Sequence, residues 1–94
     1  MEIKKLTENY KIVEDMFNGE VITFRYWYNR PNEVEVLVDD NFARANGYKS
    51  VEDMAEETIG MATFKRLYGR VPEWITATSD GEFKFIGHKR TELN

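Results

Sequence analysis

EVITFRYWYNRPNEVEVLVD, residues 20–39, is the stretch on which the predicted fold depends. In its first half every second residue is apolar or aromatic: Ile22, Phe24, Tyr26 and Tyr28. In its second half the same period places three valines on one face: Val34, Val36 and Val38. Alternation with a period of two is the geometry of a β-strand. Because the turn-forming segment NRPNE separates the halves, the stretch predicts a β-hairpin that covers a core.

The residues before the hairpin predict a helix. In LTENYKIVEDMFNG, residues 6–19, apolar side chains recur with helical spacing: Leu6, Tyr10, Val13 and Phe17. Thr7 can cap its start, and Asn18-Gly19 suits its end.

The residues after the hairpin predict short helices joined by tight corners. In DDNFARANGYKSVEDM, residues 39–54, Asp40 or Asn41 can cap a first helix, and Gly47 can end it. Ser50 can cap a second helix that Gly60 ends, and MATFKRLYG, residues 61–69, reads as a third with Leu67 or Tyr68 inward. EWITATS and EFKFIGH, joined at Asp80-Gly81, then predict a second hairpin.

These elements predict an α+β fold in a single small domain of residues 1–94. Its parts are an N-terminal helix, a β-hairpin, two to three short helices with a helix-turn-helix-like corner, and a C-terminal β-hairpin. Residues 1–5 and 88–94 are expected to be loose. The 94 residues are 41% hydrophobic and include no cysteine, which suits a modest core without disulfides. No window is apolar enough to span a membrane, so we expect a soluble, cytoplasmic protein.

The residue content argues against catalysis. His88 is the only histidine, and the adjacent Asp39 and Asp40 point to opposite faces if the backbone is extended. The chain has no GxSxG, no Walker loop, no GxGxxG and no calcium-loop spacing. We therefore expect no enzyme activity, no metal and no cofactor.

The charge is unevenly distributed along the chain. The net charge is −4; residues 1–62 hold 7 Lys or Arg against 13 Asp or Glu, and residues 63–94 hold 6 against 4, so the two parts contribute −6 and +2. This charge distribution argues against a protein that coats nucleic acid uniformly, but it leaves a local basic patch as one interpretation. The candidate DNA- or partner-binding residues are the cations of the second part together with a tryptophan on the polar face of the first hairpin: Lys65, Arg66, Arg70, Lys84, Lys89, Arg90 and Trp27.

The order of a hairpin, a capped short helix, a Gly-Tyr corner and a second helix resembles the N-terminal domain of the BRO family, found in phage antirepressors and large DNA viruses. The matching residues, within residues 20–60, are Asn41, Ala43, Ala45, Gly47, Tyr48 and Ser50. The resemblance implies a phage or prophage regulatory module associated with DNA binding. However, the second helix, VEDMAEET, carries four acids and no base-reading Arg, Asn or Gln, which argues against its insertion into the major groove.

Two other interpretations stay open. The acidic first part could belong to a small protein-interaction or inhibitor domain that engages a basic host surface or blocks a nucleic-acid-binding protein. The stretch DNFARANGYKSVEDM, residues 40–54, also resembles PAS sensory domains, which often have an asparagine, an alanine-phenylalanine pair and a Gly-Tyr-Ser corner before an acidic helix. The partner is therefore either DNA or a protein, and the sequence leaves the oligomeric state open, with a homodimer as one option.

Overall fold

The computed structural model describes the backbone of residues 1–78 and the side chains of residues 1–76. Its elements are β1 (Glu2–Leu6), β2 (Tyr10–Phe17), β3 (Glu20–Trp27), β4 (Glu33–Leu37), α1 (Asp40–Ala45), α2 (Val51–Glu57), α3 (Ile59–Tyr68) and β5 (Trp74–Thr78). The five strands form one sheet in the order β1-β2-β3-β4-β5, and each is antiparallel to its neighbour. The three helices therefore form the connection between the adjacent strands β4 and β5. None of the helices in residues 1–78 has the length and apolar character needed to cross a membrane.

The predicted N-terminal helix is wrong, and with it the predicted fold class. Residues 10–17 form β2, which pairs with β3 from Tyr10↔Trp27 to Phe17↔Glu20. Asn18 and Gly19 have φ values of +51° and +83°, so the Asn-Gly pair makes a tight hairpin turn instead of ending a helix. Residues 2–6, expected to be loose, form the edge strand β1. The domain is consequently more sheet than helix and has a strand at each end of the described chain.

The first predicted hairpin is present, and the second lies partly outside the described residues. β3 and β4 pair antiparallel with Phe24 opposite Val36 and Arg25 opposite Glu35. β5 occupies the first half of the predicted C-terminal hairpin but pairs with β4. The turn at Asp80-Gly81 and the segment after it are not among residues 1–78.

Local capping rules predicted the helical segment correctly except at two points, the cap of α1 and the end of α2. The α1 cap is Asp39, whose carboxylate accepts a hydrogen bond from the Phe42 N–H at 2.9 Å; it is not Asp40 or Asn41. Ser50 caps α2 as predicted, accepting from the Asp53 N–H at 3.3 Å. Gly60 does not end α2, because the second helix stops at Glu57 and Gly60 lies inside α3. A single extended residue, Thr58, separates the two helices.

The core lies between the helices and one face of the sheet. Strands β3, β4 and β5 contribute Ile22, Val36 and Ile75, and the helices pack buried side chains against them: Phe42, Ala43, Ala45, Met54, Ala55 and Met61. Side chains alternate across each strand, so the residues between these core positions lie on the opposite face, where no described helix packs. On that face Glu35, Trp74 and Thr76 are nevertheless buried, whereas Met16 and Val21 are exposed.

Candidate partner-binding surfaces

The structure brings only some of the predicted binding residues together. Lys65 and Arg66 lie in the last turns of α3, and Arg70 follows the helix directly; all three are exposed. Trp27 belongs to β3 and lies on the sheet face away from the helices. Lys84, Lys89 and Arg90 are outside the described residues. The predicted site is therefore two separate surfaces.

The first surface is the C-terminal end of α3. The helix buries Met61 and Phe64 against the protein and ends at Gly69, whose φ of +78° suits a residue without a side chain. With that face buried, the remaining side chains of the last turns point outward. We call this set the α3 surface: Lys65, Arg66, Leu67, Tyr68 and Arg70.

Leu67 and Tyr68 correct the prediction that one of them points inward. Their exposed fractions are 64% and 51%, because Met61 and Phe64 already occupy the buried side of α3. The Tyr68 ring is 4.6 Å from the Phe64 ring, centroid to centroid. Leu67 and Tyr68 are therefore both exposed within the last turn of α3, which also carries Lys65 and Arg66.

The charges around the α3 surface are of both signs. Among the described residues, Lys65 and Arg66 form no salt bridge with an acidic side chain. Both nevertheless line a shallow groove with Glu56 of α2, and α2 also carries other acids: Glu52, Asp53 and Glu57. A highly charged anion such as DNA would meet repulsion beside attraction at this site.

The second surface contains an arginine enclosed by aromatic rings. The Arg25 guanidinium carbon lies 4.2 Å from the Trp74 ring centroid, 5.0 Å from that of Trp27 and 5.6 Å from that of Tyr10. Glu35 Oε1 accepts hydrogen bonds from Arg25 Nε at 2.6 Å and from Trp27 Nε1 at 2.5 Å. We call these five residues the Arg25 cluster. Such charge-assisted bonds together with cation–π contacts make a strong polar network.

The contacts of Trp27 within the Arg25 cluster account for its position without any binding partner. Its indole N–H is used inside the protein, and its ring packs on Tyr10 at 4.8 Å between centroids. Glu35 is only 2% exposed, so the ion pair is largely closed to a ligand. The sequence places an arginine and a glutamate on two neighbouring strands. The register that sets Arg25 opposite Glu35 could not be assigned from the alternation alone.

Two ionisable side chains in the described chain have a shifted pKa, and neither lies near a metal site. Within residues 1–78, no group of three His, Asp or Glu side chains is placed so that it could hold a metal ion. The pKa of Lys4 is raised by the nearby carboxylates of Glu14 and Glu2. The pKa of Tyr26 is raised by burial and by the charge of Asp15. Both residues are in the β1–β3 part of the sheet, away from the α3 surface.

Comparison of the chain with protein-family models, with curated proteins and with solved structures finds no match. The resemblance of residues 20–60 to the BRO N-terminal domain therefore stays a prediction.

Proposed function

We propose that this protein is a non-catalytic regulatory module, of the phage or prophage type that the BRO-like stretch suggests, and that it binds an acidic protein partner through the α3 surface. The observation that carries the proposal is the grouping of three exposed cations with exposed Leu67 and Tyr68 at one end of α3. Arginine and tyrosine are among the side chains that contribute most to protein–protein binding.

A protein partner suits this surface better than DNA. Protein–DNA interfaces are more polar and much more positively charged than protein–protein interfaces. Here the net charge is −4, Glu56 borders the cations, and Leu67 would gain from burial against an apolar side chain. DNA binding is the competing interpretation, because clustered cations also attract phosphates.

The test compares two triple variants with equal loss of charge. In Lys65→Gln/Arg66→Gln/Arg70→Gln the α3 surface loses its cations, and in Lys4→Gln/Lys5→Gln/Lys49→Gln three exposed cations are removed elsewhere. Proteins captured from a host lysate are quantified against both variants, and binding to double-stranded DNA is measured by gel shift at several salt concentrations. We expect the first variant to weaken capture of an acidic protein by about tenfold, and the second to leave it unchanged.

A third variant separates the competing partners. Leu67→Ala should weaken a protein contact but leave phosphate binding intact, since it removes apolar area and no charge. A salt-dependent DNA complex that needs Lys65, Arg66 and Arg70 and ignores Leu67 would replace the proposal by DNA binding. Capture of a basic protein that depends on Glu52, Glu56 and Glu57 would instead favour the inhibitor interpretation.

A further inference from the structure

A pocket of about 230 Å³, open to solvent on one side, lies where the helices meet the sheet, and we call it the cavity. Six segments meet around it: the end of α1, the corner after it, α2, the α2–α3 junction, α3 and β5. Its lining residues are Phe42, Asn46, Tyr48, Met54, Thr58, Met61 and Ile75. Thr58, extended with φ −104° and ψ 115°, separates α2 from α3 beside the cavity.

The lining divides into an apolar floor and a polar rim. The floor consists of four buried side chains, each at most 5% exposed: Phe42, Met54, Met61 and Ile75. The rim consists of Asn46, Tyr48 and Thr58. Asn46 Nδ2 donates to the Phe42 carbonyl at 2.8 Å, which leaves Oδ1 as an acceptor with no hydrogen-bond donor among the described residues. Among the residues that the structure describes, none that lines the cavity is charged.

The cavity is open to solvent on one side, so a ligand that covered its apolar floor would bury apolar surface that now faces water. Two methionines in the floor provide flexible, polarisable contacts that can adapt to a ligand. An apolar cavity of about 150 Å³ is large enough for benzene, so this one has room for two fused rings.

We infer that this cavity is a binding site for a small, neutral, fused-ring aromatic molecule that carries an N–H donor. The rings would pack on Met54, Met61 and Phe42, and the N–H would donate to Asn46 Oδ1. A neutral ligand suits this lining, because none of the described lining side chains carries a charge that could compensate the desolvation of an ion. The inference is independent of the α3 surface, whose cations do not line the cavity.

Indole is the probe, and the four methionines are the reporters. In protein labelled at the methionine methyl groups, indole should shift the NMR signals of Met54 and Met61 through its ring current. Met1 and Met16 are 78% and 61% exposed and should not shift. If saturating indole moves none of the four signals, the cavity holds water at most and the inference is wrong; equal shifts of all four would show non-specific contact and overturn it as well.

Matched variants and a matched ligand complete the experiment. Met61→Phe places a ring in the cavity and should weaken indole binding by about tenfold or more, whereas Met16→Phe makes the same change on the exposed sheet face and should have no effect. 1-Methylindole lacks the N–H and should bind about three- to tenfold more weakly than indole. Equal affinity of the two ligands would contradict the role of Asn46. Should Met61→Phe fail to fold, the methyl shifts of the native protein still decide the question.

Discussion

On the sheet face that the described helices do not cover, Glu35 is the residue whose substitution should destabilise the protein most. It is buried, and one of its oxygens binds both Arg25 and Trp27. Glu35→Gln should lower the free energy of unfolding by about 3 kcal/mol, because Arg25 would keep a largely buried charge without a counter-ion. Urea denaturation measures this, and the exposed Glu52→Gln should change stability by less than about 0.5 kcal/mol.

A double substitution distinguishes a stabilising ion pair from one that is merely hard to break. Arg25→Met with Glu35→Leu removes both charges and should cost less than Glu35→Gln alone, since no unpaired charge remains buried. If the double variant is less stable than either single variant, the Arg25 cluster contributes net stability that an apolar replacement cannot supply.

Tyr26 links stability to alkaline pH. Burial, and secondly the charge of Asp15, raise the pKa of its phenol above the ordinary value of 10.0. The unfolded chain therefore loses this proton first as pH rises, so the stabilisation is complete below about pH 10 and is lost as pH rises through the folded-state pKa. Urea midpoints compared at about pH 9 and about pH 11, on either side of the ordinary tyrosine pKa, should show a smaller loss of stability for Tyr26→Phe than for the native protein. An identical loss in both proteins would assign the alkaline sensitivity to other groups; the exposed Tyr28→Phe is the control.

Helix α1 is short enough that its cap should govern its stability. It has six residues, and Asp39 accepts the Phe42 N–H at its start. Asp39→Ala should destabilise the protein by about 1 kcal/mol, while Asp39→Asn should nearly preserve stability because the amide oxygen can still accept. Thermal unfolding of the two variants checks this, and an equal loss in both would point to the charge of Asp39 instead of its hydrogen bond.

Strand β2 was predicted as a helix although the spacing of its apolar residues was read correctly. Leu6, Tyr10, Val13 and Phe17 do recur at helical spacing, but Val13 is buried in the sheet, whereas Leu6 is 65% exposed. Asn18-Gly19 is compatible with a helix end and with a hairpin turn. Eight consecutive residue pairs with β3 decide between them, and such pairing is a property of two segments together.

At the scale of the whole molecule, the protein depends on one helix-covered core. Val36 is fully buried within it, whereas Val21, on the neighbouring strand, is 41% exposed on the opposite face. Val36→Ala should cost about 2 kcal/mol through lost burial and a residual cavity, and Val21→Ala less than about 1 kcal/mol. Equal costs by urea denaturation would mean that the second sheet face is also covered in solution.

Much of the local structure was predictable from short-range rules. The alternation of residues 20–38 predicted β3 and β4, Ser50 predicted the start of α2, and the basic composition of residues 65–70 located the α3 surface. These features depend on backbone geometry within a few residues, so neighbours in sequence suffice to predict them. The bounds of α2 and α3 were less predictable, because Gly60 was taken as a stop and is tolerated inside a helix.

The sequence by itself determined the pleated hairpin, the capped corner after it and the grouping of cations late in the chain, because each is encoded over a few consecutive residues. Only the tertiary structure decided that residues 10–17 are a strand, that Arg25 meets Glu35 between aromatic rings, and that Met54 and Met61 face one cavity. The physical reason is that these contacts join residues distant in sequence. Their free energy depends on strand register and helix packing, which no single segment specifies.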